Sequence, residues 1–65
     1  MTTYRLETLT NEFVNNFFES NNAMKVETKT GTVYHVFKVR GNYQMYSEYC
    51  MNRRPLTKEM KKVFH

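Results

Sequence analysis

Catalysis by side chains needs groups that accept a proton, attack an electrophile or hold a metal, and this sequence supplies few of them. Its 65 residues include six glutamates, two histidines and one cysteine, with no aspartate. One histidine, His65, is the last residue, so a Cys50 nucleophile would have to take His35 as its base. Reading residues 32–50 as two paired strands places Cys50 and His35 on opposite faces, which argues against the dyad. The same reading sets His35 opposite Ser47, as a hydrogen-bonded core histidine rather than a metal ligand. Glu27 and Glu48 share a sheet face, but Lys25, Lys29 and Lys38 lie near them, and cross-strand ion pairing explains the carboxylates better than acid–base chemistry. No catalytic residue, metal ligand set or cofactor is expected.

The cations and tyrosines carry more information. The formal net charge is +4, and it is unevenly spread: residues 1–23 hold one arginine against three glutamates, whereas residues 24–65 hold nine cations against three glutamates. A basic surface of this kind suits a polyanionic or acidic partner. Two groups of residues are candidates for it. On the exposed face of the expected sheet, Tyr34, Val36 and Tyr46 stand among Lys25, Lys29 and Lys38, with Arg40 at the edge. Rings interleaved with cations are what a single-strand binder uses, because bases stack on rings while cations neutralise phosphates. The second group is Arg53, Arg54, Lys58, Lys61 and Lys62, gathered at and along a C-terminal helix. Part of that charge also suits the negative end of the helix dipole. The expected function is therefore a small non-enzymatic nucleic-acid-binding domain. The alternative is a small regulator of phage or mobile-element type that docks on an acidic surface of a host protein and modulates it.

These residues are positioned by a hairpin over residues 24–39, whose two arms alternate with the two-residue period of pleated strands. A two-residue loop at Thr30-Gly31 would pair Met24 with Phe37, Val26 with His35 and Thr28 with Val33, which gathers the apolar side chains on one face and makes Phe37 a central core residue. A three-residue loop over residues 40–42 would pair Val39 with Tyr43, Phe37 with Met45, His35 with Ser47 and Val33 with Tyr49. Residues 3–21 carry Leu6, Leu9, Phe13, Val14, Phe17 and Phe18 at helical spacing, a stripe spanning roughly 180°. Pro55 suits a first helical position, and Leu56, Met60, Val63 and Phe64 then line one face of a short last helix. The expected fold is α+β and covers residues 1–65 as one small domain: a three-stranded antiparallel meander with an N-terminal and a short C-terminal helix packed on one face, in the order α-β-β-β-α.

That order, with a basic start to the last helix, resembles the layout of double-stranded-RNA-binding domains over nearly the whole chain. The resemblance is one of topology. Where that family has a glycine-rich third strand and a Lys-Lys-x-Ala-Lys start to its last helix, this sequence has Tyr46-Ser47-Glu48-Tyr49-Cys50 and then Arg53-Arg54-Pro55-Leu56-Thr57-Lys58.

One cysteine permits no intramolecular disulfide and fits a reducing, cytoplasmic setting. No apolar run approaches a membrane span and the first ten residues lack a signal-peptide core, so no membrane partner is expected. A symmetric homodimer is expected through a free sheet edge or the Val14/Phe18 flank of the wide helical stripe, unless Leu56, Met60 and Phe64 cover that flank within one chain.

Overall fold

A computed structural model describes residues 2–50 and 52–65. They form one four-stranded sheet in the order β1-β2-β3-β4, with β1 Thr3–Arg5, β2 Ala23–Glu27, β3 Val33–Val39 and β4 Asn42–Ser47, together with helices α1 Asn11–Ser20 and α2 Lys58–Lys61. The α+β class holds, but the element order is β-α-β-β-β-α rather than α-β-β-β-α. The layout of double-stranded-RNA-binding domains is thus followed only from α1 onward, with an added strand β1 and a last helix of a single turn.

The correction begins at the N-terminus. Residues 3–21 are not one helix: Thr3–Arg5 is a strand, Leu6–Thr8 is a single 3-10 turn, and α1 starts only after Thr10. Thr10 has extended backbone and its Oγ1 accepts the Phe13 N–H at 3.1 Å, which satisfies one of the amides left unpaired at a helix start. The preceding strand alternates as a strand should, with Thr3 and Arg5 outward and Tyr4 inward. It pairs parallel to β2, Tyr4 opposite Val26. Parallel neighbours need a long crossover, and α1 supplies it. At the far end the Asn21 side chain donates to the Phe17 carbonyl at 2.9 Å.

The two turns decide which side of β3 is buried. At the first, the Thr28 N–H donates to the Thr32 carbonyl at 2.9 Å and the Gly31 N–H donates to the Thr28 carbonyl at 3.0 Å, closing a three-residue loop over residues 29–31 with Gly31 at φ +84°. A two-residue loop centred on Thr30-Gly31 would have needed a positive φ at a β-branched threonine, whereas the three-residue loop needs one only at glycine. At the second turn the loop has two residues, Arg40 and Gly41, at φ +52° and +84°, closed by Val39 opposite Asn42. Two positive φ values are the requirement of a type I′ turn, which matches strand twist. Each turn thus differs by one residue from the expected loop, in opposite senses. Strands β2 and β4 keep their expected faces, and β3 alone is inverted: Met24 lies opposite Val36 and Val36 opposite Met45, while Lys25 lies opposite His35 and His35 opposite Tyr46.

The core is consequently Leu9, Val14, Met24, Val26, Val36, Met45, Leu56, Met60 and Phe64, with both helices on the Met24/Val26/Val36 face. Val14, expected at the edge of the stripe, is fully buried. The flank beside it is closed within the chain, since the Phe18 ring sits 5.3 Å from Tyr43 and 6.4 Å from Phe64, and Tyr43 and Phe64 are 5.5 Å apart. Asn11 holds this C-terminal lid in place by donating through Nδ2 to the carbonyls of Val63 at 2.8 Å and His65 at 3.2 Å. The free edge of β4 is partly taken up as well. Met45 N–H donates to the Arg54 carbonyl at 3.2 Å and Arg54 N–H to the Met45 carbonyl at 2.9 Å.

Two outcomes test this arrangement. Met24→Ala should cost about 2–5 kcal/mol through lost burial and a cavity, and more than Phe37→Ala, whose ring is only half-buried; chemical denaturation midpoints measure the order. Arg40→Asn should stabilise by about 1 kcal/mol, because asparagine accepts a left-handed backbone more readily than arginine; a lower midpoint would contradict the type I′ turn.

Candidate nucleic-acid interface

Inverting β3 moves its more apolar side, Val33, His35, Phe37 and Val39, to the sheet face that the helices leave free. A one-residue slip has this effect because side chains alternate with a period of two. Strand β4 adds Gln44 and Tyr46 to the same face, β2 adds Lys25 and Glu27, and β1 adds Arg5. Along its centre runs a row of rings. His35 and Tyr46, directly opposed across β3 and β4, are stacked at 5.1 Å with 14° between their planes, and Phe37 lies 5.8 Å from Tyr46.

Cations stand on both sides of this row. The Arg53 guanidinium lies over the Phe37 ring, 5.6 Å from its centre, within cation–π range. On the other side Lys25 Nζ is 3.1 Å from Glu48 Oε1, and the same oxygen is 3.5 Å from His35 Nε2. The Lys25 ammonium, hydrogen-bonded to the carboxylate, is the main reason that Glu48 ionises below its ordinary value, and His35 adds to the effect. The ion pairing expected for Glu48 with a lysine is therefore present, whereas Glu27 turns to Arg5 of β1 at 3.7 Å.

The candidate residues separate into distinct places. Lys25, Tyr46 and Arg53 meet on the open face. Tyr34 does not: with Val36 it points to the core side, where it packs against the buried cluster, so the Tyr34/Val36/Tyr46 platform is replaced by His35, Phe37 and Tyr46. Lys38 is on the core side of β3 too, with its Nζ 5.2 Å from the centre of the Tyr43 ring. Arg40 is in the β3–β4 turn. Lys29 and Lys58 border a groove with Tyr34, Thr57 and Glu59, and Lys29 and Lys62 border the neighbouring one with Glu7 and Glu59. Lys61 lies on another side, near Tyr43 and Phe64. Helix α2 has a single turn, and its three lysines face different neighbours instead of making one stripe. Arg54 is at the outer edge of β4, beside the Cys50 thiol.

Sequence reasoning assigned His35 and Phe37 to the core because Val33, His35, Phe37 and Val39 look like the buried side of a strand. The signal that would have corrected it is the threonine before Gly31, which disfavours the two-residue turn. His35 is engaged with Glu48 and Tyr46, and Cys50 with Asn52 and Arg54. A hydrogen bond from the Asn52 backbone, then the Arg54 guanidinium, hold the thiol below its ordinary value. No cluster of three or more potential metal ligands occurs among the described residues, and no helix among them is long and apolar enough to cross a membrane. Compared with known proteins, the chain matches no family model, no curated protein and no solved structure.

Because the folded state lowers the Glu48 pKa, it binds that proton less tightly than the unfolded chain does. The resulting stabilisation is complete above about pH 5 and is lost as pH falls below the ordinary value of 4.5 through the lowered one. The melting-temperature difference between the parent and Glu48→Gln should therefore close as pH falls below 4.5; a difference that persists undiminished in strong acid would exclude the Lys25–Glu48 link.

Proposed function

We propose that the protein is a small non-enzymatic domain that binds single-stranded nucleic acid on the open face of its sheet. The observation that supports this most is the row His35, Tyr46 and Phe37, partly exposed on the face opposite the helices, with Lys25 and Arg53 on its flanks. A folded protein normally turns its more apolar strand side inward. Here Val33, Phe37 and Val39 face away from the core and stay partly accessible, and a base partner that stacks on rings would complete their cover. Bases stack on π faces whatever their sequence, and each stacked base is worth about 1–3 kcal/mol. The net charge of +4 favours approach of a polyanion. In this reading Arg53 supplies the nearest cation without a carboxylate partner, while Lys25 must exchange Glu48 for a phosphate. The cations around α2, Lys58, Lys61 and Lys62 with Lys29, extend the attraction without forming part of the stacking surface. A cytoplasmic setting suits such a domain, since the lone Cys50 meets no oxidising environment there.

The competing reading is the phage-type or mobile-element regulator docked on an acidic host surface. Tyr49 favours it: its ring is 95% exposed, on a turn braced by the Cys50 N–H donating to Ser47 Oγ at 3.1 Å, and tyrosines held in this way anchor protein interfaces.

Oligonucleotide titrations at several salt concentrations separate the two. The parent should bind oligothymidylate and mixed RNA with log affinity falling linearly against log salt. Phe37→Ala and Tyr46→Ala, checked by circular dichroism to be folded at the assay temperature, should each weaken binding by about tenfold. A folded parent that binds no oligonucleotide, or ring variants that bind as tightly as the parent, would overturn the reading, and weakening by Tyr49→Ala of a salt-insensitive protein complex would establish its rival.

A further inference from the structure

We propose that the cleft along the outer edge of β4, between residues 42–44 and 53–55, is a phosphate-binding site. The cleft is open to solvent, spans about 340 Å³ and is lined by Asn42, Tyr43, Gln44, Arg53, Arg54 and Pro55. No carboxylate lines it, in contrast to the grooves around α2, where Glu7 and Glu59 stand among the lysines. Among the described residues neither Arg53 nor Arg54 forms an ion pair with a carboxylate. Two successive arginines thus border one cleft that no carboxylate enters, and the planar donor fork of arginine is suited to phosphate oxygens.

The second observation is independent of charge. Tyr43 Oη and Gln44 Oε1 are buried without a hydrogen-bond partner, and both residues line this cleft. Buried polar atoms are nearly always paired, and of the two it is Gln44, beside Phe37 on the open face, whose orphan calls for a partner on this side, since the Tyr43 ring packs on Phe18 and Phe64. The Gln44 amide donates to a phosphate oxygen once its oxygen and nitrogen change places, an assignment made from hydrogen bonding in any case. The walls are held together by the two backbone hydrogen bonds between Met45 and Arg54, so the donors are organised in advance of binding.

The cleft joins the open face through Arg53, whose guanidinium covers Phe37, and Gln44, the cross-strand neighbour of Phe37. A nucleotide stacked on the rings would have its phosphate here. The inference depends on the proposed function only for the identity of the molecule that carries the phosphate: either a terminal phosphomonoester or a backbone phosphodiester.

Titration with inorganic phosphate, followed by NMR, and binding of 5′-phosphorylated and 5′-hydroxyl oligothymidylate at constant ionic strength test it. Phosphate should shift the Arg53, Arg54 and Gln44 side-chain signals in the parent. Arg54→Gln should abolish those shifts, and Gln44→Leu should weaken them several-fold with no loss of melting temperature, since it removes an unpaired amide and keeps the bulk. A preference of about tenfold for the phosphorylated oligonucleotide, equivalent to about 1.4 kcal/mol, that disappears in Arg54→Gln identifies a terminal phosphate. An equal loss for both oligonucleotides identifies a backbone phosphate. Shifts with phosphate but no oligonucleotide binding would support the site while overturning the proposed function. If inorganic phosphate leaves all three signals unmoved and Arg54→Gln binds both oligonucleotides like the parent, the site is refuted.

Discussion

The direction in which β3 faces is the constraint on which the rest of this molecule depends, and two turns impose it. Gly31 takes the left-handed position at the end of a three-residue loop, and Arg40 with Gly41 takes both left-handed positions of a two-residue loop. Neither loop can lose or gain a residue without turning β3 over, because neighbouring side chains point to opposite faces. With these loops Val36 is placed between Met24 and Met45 in the core, and the more apolar side of the strand is left outside. Hydrophobic burial alone would have favoured the other orientation of β3. Backbone sterics at Thr30 oppose it, and the buried side chains of β2, β4 and the C-terminal segment are sufficient to close a core around Tyr34 and Val36.

A chain of this size buries a modest fraction of its surface, and its solution is to use every segment as cover. The short β1 lengthens the sheet at one edge and makes α1 a crossover lying on the sheet. Tyr4 packs against Phe13 and Phe17 at 5.4 and 5.6 Å. The last ten residues close the other side through Leu56, Met60 and Phe64, joined to α1 by the Asn11 side chain. Since α2 has one turn, its place is set by these contacts and not by helical stability of its own. The same packing covers the Val14/Phe18 flank from which self-association was expected.

Charge is arranged differently on the two sides. Around α2, lysines and glutamates alternate about shallow grooves, as on an ordinary solvated surface. On the open face and the β4 edge, Arg53 lies over Phe37, and Arg53 with Arg54 lines a cleft that contains no carboxylate and includes Gln44, whose amide oxygen is unpaired. Local rules of burial and hydrogen bonding are broken at adjoining positions, and such breaches concentrate where a protein meets a ligand. This is why the functional reading centres on that side, although the lysines are more numerous on the other.

By itself the sequence determined the composition-level properties and the elements with strong local signals: an α+β class, a basic chain with its acidic groups toward the start, strands β2 to β4, a helix through Val14 and Phe18, and an apolar C-terminal segment. These are legible because alternation, helical spacing and charge are local. Lys25 and Tyr46 lie on the open sheet face, as their alternation indicated, whereas Arg53, read as part of the last helix, reaches that face only through the fold. Only the tertiary structure decided that Thr3–Arg5 is a strand, since three residues carry too little pattern and acquire their identity by pairing with β2. Likewise, it decided that His35 and Phe37, not Tyr34 and Val36, face outward. Periodicity favours burying the more apolar Val33/Phe37/Val39 side, and that preference was overruled by one residue of loop length at each end of the strand.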